Sequence, residues 1–157
     1  MQYLYDFFHN RVLMSAILGW AIAQVVKTII DLSLNKKLNF ERLVDSGGMP
    51  SCHSSTVCAL CAAAGVEYGL GSGEFAVAGI LAVIVMYDAR GVRRETGTQA
   101  EILNQIMDFF RLPENGRYKL EFDQDKLKVL IGHTPLQVLC GAILGIIVGL
   151  VSVNFLP

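Results

Sequence analysis

A chain of 157 residues has room for one domain and none for a separate soluble module. With 53% hydrophobic residues and a mean hydropathy of +0.47, it is too apolar for an ordinary soluble protein of this size. The formal net charge of −1 says little, but the charges cluster between apolar runs, as they do in the loops between membrane spans. The composition predicts an all-α polytopic membrane bundle, one integral membrane domain over residues 1–157, with about four transmembrane helices and one amphipathic helix.

The first predicted span is Val12 to Leu34. At ~1.5 Å per residue it is long enough for a ~30 Å hydrocarbon core. It does not read as a signal peptide: Asp6 and a single Arg precede it, and no small-residue cleavage site follows a short apolar stretch. Lys27 lies inside this span. A polar loop with glycines, Asn35 to Pro50, leads to a second run, Ser54 to Leu70, rich in Ala, Cys, Ser and Gly. Its weak hydropathy suits a span shielded by its neighbours. After a Gly/Ser turn, Gly69 to Gly73, comes a third run, Phe75 to Tyr87, which is short for a crossing.

A long polar segment, Asp88 to His133, follows. Within it, Gly97 to Phe110 reads as the amphipathic helix, with Leu103, Ile106, Met107 and Phe110 at the helical period. Such a helix suits the membrane interface or packing on the helix ends. Pro113 and Asn115-Gly116 mark turns. The last span, Pro135 to Leu156, carries Gly141, Gly145 and Gly149, a flat face for close approach of another helix, in this chain or in the second copy of a homodimer. Cys58, Cys61 and Cys140 sit inside apolar runs and read as packing residues. The Cys58-x-x-Cys61 spacing lacks the second pair of a zinc site, so no metal is expected.

With four spans, both termini share one side, which holds only Arg11. The other side collects Lys36, Lys37, Arg42, Arg90, Arg93, Arg94, Arg111, Arg117, Lys119, Lys126 and Lys128. By the positive-inside rule that loaded side is cytoplasmic and both termini lie opposite. A bacterial cell membrane is the expected location.

Two histidines occupy equivalent places on the loaded side. His53 comes as the second span starts, after Ser46-Gly47-Gly48-Met49-Pro50-Ser51-Cys52. His133 precedes Thr134-Pro135, the start of the last span. Helix N-termini present free N–H groups and a favourable dipole to anions. Lys27 can snorkel towards the same mouth, and Arg90, Arg93 and Arg94 follow the third span directly. Cations and helix starts together make a phosphate-sized anion site, and two imidazoles supply a nucleophile and a proton donor.

The run from Ser46 to Ser54 resembles the Pro-Ser-Gly-His signature of the type 2 phosphatidic acid phosphatase and vanadium haloperoxidase superfamily. The run Gly132 to Val138 resembles its His-x3-Asp signature. Tyr87 to Arg94, with Gly97, Gln99-Ala100 and Leu103-Asn104, looks like the short, divergent membrane branch. The resemblance implies a phosphoric monoester hydrolase acting on a lipid phosphate or phosphorylated amphiphile, with no metal or other cofactor. It implies His133 as the nucleophile and His53 as the proton donor. It further implies Ser51 and the Cys52 backbone on the phosphate oxygens, and Lys27 with Arg90 or Arg93 as phosphate-binding cations. Expected partners are the lipid phosphate and membrane lipids, and no nucleic acid.

The departures are specific. Lys27 is followed by no Arg-Pro, Cys52 replaces a Gly, and no Arg lies six residues before His133. Gln137 stands where the superfamily has Asp, so it can orient His133 but adds no negative charge. Asp88 is a candidate to compensate. These departures keep open a non-catalytic alternative, a membrane protein whose basic mouth binds or passes anionic lipid or phosphate.

Overall fold

The computed structural model describes residues 1–36, 48–111 and 133–156, with residues 92–94 and 108–111 described by backbone alone. Six helices and no strand occur among the described residues: α1 (Gln2–Phe8), α2 (Arg11–Asn35), α3 (Cys52–Glu67), α4 (Gly73–Arg90), α5 (Val92–Arg111) and α6 (Pro135–Phe155). The all-α membrane bundle expected from the sequence is the fold observed. The expected spans correspond to α2, α3, α4 and α6, and their boundaries are set by polar caps. Asn10 accepts from the Leu13 N–H at 2.9 Å, Ser51 from Ser54, Ser72 from Phe75, and Thr134 from Gln137. A short side-chain oxygen at this position satisfies a backbone donor that the first turn leaves open.

Helix α1 was not anticipated, because seven residues are too few to show a period. It leaves Tyr3, Leu4, Tyr5, Phe7 and Phe8 exposed. Helix α5 starts at Val92, five residues before the expected Gly97. Its buried side is Gly97, Ala100 and Asn104, while Leu103 and Ile106 of the predicted apolar stripe are exposed. Close packing uses the small residues, and the large ones face outward. The expected turns at Pro113 and Asn115-Gly116 lie outside the described residues.

Helix α3 is the axis of the bundle, packed against α6, α2 and α4, with α2 also against α6. Arg11, at the start of α2, pairs with Glu67 at the end of α3, so these two helices are antiparallel. Ser152, near the end of α6, donates to Ser15 in the first turns of α2 at 2.7 Å. The start of α2 and the end of α6 therefore sit together, and Val12, Ala63, Ala64, Ala78 and Val153 form the apolar cluster there.

The size distribution is inverted relative to a soluble core. Buried positions are Val12, Ser15, Ala16, Gly19 and Ala23 on α2, with Ser54, Ser55, Ala59 and Ala63 on α3. Large apolar side chains point outward: Ile17, Trp20, Val25 and Ile29 on α2, and Ile143, Ile147 and Val151 on α6. Water would not tolerate that surface, whereas lipid does, and small residues let helices approach closely where no hydrophobic driving force exists between them. Three stretches are long and apolar enough to cross a membrane: α2, the run Gly73–Met107 through α4 into α5, and α6. Helix α3, at 16 residues, is shorter and less apolar, and its neighbours cover most of it.

The Gly141, Gly145 and Gly149 row meets α3 of the same chain. A methyl group on these glycines would run into the backbone of Ser51, Ser55 and Ala59 respectively. The face is filled, so it is not open to the homodimer contact considered from sequence. Gly145→Val is expected to cost about 2–3 kcal/mol, because the obstructing atoms are backbone and cannot rotate away. Gly79→Ala, whose added carbon meets only the Cys61 sulfur at 3.8 Å, is expected to be neutral or slightly stabilising. Thermal unfolding of both variants in detergent checks the contrast.

Candidate functional site

The contact register of α3 and α6 fixes their relative direction. Ser51, Ser55 and Ala59 meet Gly141, Gly145 and Gly149 in order, so the two helices are parallel. Both N-termini open at the end of the bundle away from the start of α2. Backbone hydrogen bonds tie these starts together. The Ser51 N–H donates to the Gln137 carbonyl at 3.1 Å, and the His133 N–H donates to the Ala89 carbonyl in the last turn of α4, also at 3.1 Å.

The two expected histidines come together here, with ring centroids 6.0 Å apart and planes inclined at 61°. One phosphate is small enough to touch both rings at that separation. His133 is only 3% exposed, and His53 is half-buried. Lys27 is 2% exposed, and its Nζ reaches the Cys52 sulfur at 3.8 Å. That sulfur also lies 3.8 Å from His53 Nδ1. Gly48, at φ +91°, packs on the Lys27 stem: an added carbon would stand 3.4 Å from Cγ and Cδ. Glycine is favoured at Gly48 by its backbone angle and fits closely against the Lys stem.

Gln137 does two jobs with one oxygen. Its Oε1 accepts from the Thr134 N–H at 3.0 Å, completing a capping box with Thr134. A backbone N–H can donate only to oxygen, so that contact fixes which way the amide points. The same Oε1 lies 3.2 Å from His133 Nδ1, a distance at which a protonated Nδ1 donates to it. In the neutral ring that tautomer places the remaining lone pair on Nε2.

The other expected site residues fall into three groups. Ser51 is fully buried at the turn, with its hydroxyl engaged as the α3 cap and accepting from Ser54 Oγ at 3.2 Å. Asp88 is half-buried beside Ala89, whose carbonyl holds His133, and Arg90 is exposed in the last turn of α4. Arg93 and Arg94 begin α5, but their side chains lie outside the described residues, as do Ser46, Gly47, Lys126, Lys128 and Gly132. Sequence reasoning missed the capping box, although Thr134-x-x-Gln137 before an apolar run is its signature. The contact of Cys52 with Lys27 left no sequence signal, because it depends on how α2 crosses α3.

A family model described as "Divergent PAP2 family" matches residues 8–148. The chain belongs to the divergent PAP2 family. The match includes both histidines and Lys27, in agreement with the resemblance carried by the Ser46–Ser54 and Gly132–Val138 runs. An uncharacterized membrane protein, YuiD of Bacillus subtilis (strain 168), is 40% identical over 151 residues, covering 93% of this chain and 96% of the relative. No solved structure matches this divergent PAP2 protein. Membership and the three candidate spans together make the chain an integral membrane protein.

The double role of Gln137 gives a stability contrast. Gln137→Ala removes half of the capping box and is expected to lower stability by about 1 kcal/mol. Gln137→Glu keeps the accepting oxygens, adds a charge that the helix N-terminus favours, and is expected to stay within about 0.5 kcal/mol of the parent. Thermal unfolding in detergent measures both.

Proposed function

We propose that the protein is a metal-independent phosphatase that hydrolyses a lipid phosphate or phosphorylated amphiphile through a phosphohistidine. The observation that carries the reading is the 6.0 Å pairing of His53 with His133, whose Nδ1 is held by Gln137. In this reading His133 Nε2 attacks phosphorus and the phosphorus–alkoxide bond breaks. His53 gives its proton to the leaving oxygen. Water then attacks the phosphohistidine, His53 takes the water proton, and inorganic phosphate leaves. In this reading the charge on the transferring group is balanced by Lys27 and by the N-termini of α3 and α6 in place of a metal ion. Arg90, Arg93 and Arg94 are further candidates for the phosphate, and Cys52 would touch it through its backbone N–H. Family membership supports the phosphatase reading at the level of relatedness, and the basic loops support a cytoplasmic active face in a bacterial membrane.

One observation favours a second reading. The capping box accounts for Gln137 with no chemistry at all, and a neutral amide leaves His133 less activated than an acid would. A site that binds or passes anionic lipid or phosphate, without turnover, fits that feature.

Phosphate release from a panel of lipid phosphates, in detergent with a metal chelator present, separates the two. His133→Ala is expected to reduce release to background and His53→Ala to lower it about 10²–10⁴-fold, with inhibition by vanadate in the parent. Undiminished turnover in the His133 variant overturns the phosphatase reading, and binding without release by the parent favours the second.

A further inference from the structure

The histidine pair accounts for a phosphate and leaves open what the rest of the substrate touches. A cavity of about 570 Å³ lies between α3, α4 and α6, within the size range of sites that hold small organic ligands. It exists because α4 and α6 meet at the His133–Ala89 hydrogen bond and share little contact below it. Helix α3 forms its floor with Cys58, Cys61 and Ala62, and Met86 and Ile146 stand on its two walls. At the far end Gly65 leaves room that the Leu70 and Phe75 side chains close over. The lining is almost entirely apolar.

Two features say what fills it. First, the groove opens on the outer surface of the bundle: Val66, Leu70, Ile146 and Leu150 of its own lining are exposed and face lipid in an integral membrane protein. It is thus continuous with the bilayer core, where hydrocarbon is what is available. Second, its near end approaches the site. Cys58 lies five residues past His53, about 7–8 Å at helical rise, and Met86 lies three residues before Ala89, about 4–5 Å. Val57, Cys58, Ala82, Val85, Met86 and Ala142 pack together at this end, so the interior between groove and histidines is apolar. The sulfur-bearing side chains Cys58, Cys61 and Met86 are soft and adaptable, suited to a flexible chain with no fixed shape.

We infer that the α3–α4–α6 groove holds one hydrocarbon chain of the phosphorylated substrate, with its head group between His53 and His133. This rests on the phosphatase reading for the head group, but the groove is testable by itself. From His53 to Val66 is 13 residues, about 20 Å of helix rise, so the bound chain reaches past the middle of a ~30 Å core. Short-chain phosphates do not reach into the groove and forgo its packing contacts with the chain.

The probe is hexadecyl phosphate carrying a photoreactive diazirine near its chain end, added to vesicles containing the full-length protein. Cross-linked peptides are mapped by mass spectrometry, and phosphate release is measured in parallel on butyl, octyl and hexadecyl phosphate. Labels are expected at residues 61–66 and Phe75, displaced by unlabelled hexadecyl phosphate and not by butyl phosphate. Cys61→Phe from the floor and Ile146→Trp from the wall are each expected to cut labelling roughly tenfold and, where turnover occurs, to remove the preference for long chains. Thermal unfolding identifies a variant that fails to fold, and the other then decides. Labels spread over Val77, Ile84 and Ile147 and indifferent to competitor overturn the groove assignment, even if all three phosphates are hydrolysed. Groove labelling with the expected competition but no phosphate release upholds the assignment and overturns the phosphatase reading instead.

Discussion

Gly141, Gly145 and Gly149 let α6 lie with its backbone against that of α3, and the position of both histidines follows from that contact. Three successive turns of α6 meet three successive turns of α3, so the helices can be neither antiparallel nor shifted by a turn. Each carries its histidine at or just before its first turn. The parallel register puts both histidines at the same end of the bundle, and there their rings come within 6.0 Å. The hydrogen bond from Ser51 to the Gln137 carbonyl then locks the two starts together, and the bond from His133 to Ala89 draws in the end of α4. The site is thus built from backbone contacts, which vary less than side-chain packing does.

The same economy of volume explains why the interior is so poor in large residues. Buried positions on α2 and α3 are mostly Gly, Ala, Ser and Cys, and serine hydroxyls bind backbone across helices, as Ser55 does to the Gly19 carbonyl at 2.8 Å. Lys27 is the costly exception. A buried ammonium within a membrane span requires compensation, and here its stem is wrapped by Gly48 while its head reaches the start of α3. Moving α3 away would remove the contact of the Lys27 head with Cys52, so the surroundings of that charge depend on where α3 starts.

The spans were legible because four apolar runs are separated by charged loops, and the central position of α3 was legible in its weak hydropathy. A helix that its neighbours largely cover has little need of large apolar side chains. The pairing of the histidines followed from two similar helix-start patterns. Other features left weaker traces. Helix α1 is too short for periodicity, and the partner of the glycine row has the same signature whether it lies in this chain or another. The outward stripe on α5 shows the same ambiguity: a 3.6-residue period marks an amphipathic face but does not say whether protein or lipid covers it. The groove was invisible for a stricter reason, since it is made by the divergence of α4 from α6, and no single segment encodes that angle.

Gln137 shows how folding and chemistry can share one side chain. The residue four positions after His133 is also the third residue of α6, where a capping box places Glu or Gln. An acid there would serve the cap and charge the imidazole. The amide serves the cap equally and accepts from the same ring nitrogen, but it adds no negative charge beside Lys27 and the two helix N-termini. A site without that added charge binds an anion more strongly, whereas a less basic imidazole attacks phosphorus more slowly. In the proposed reaction the substitution therefore shifts the balance from rate towards affinity.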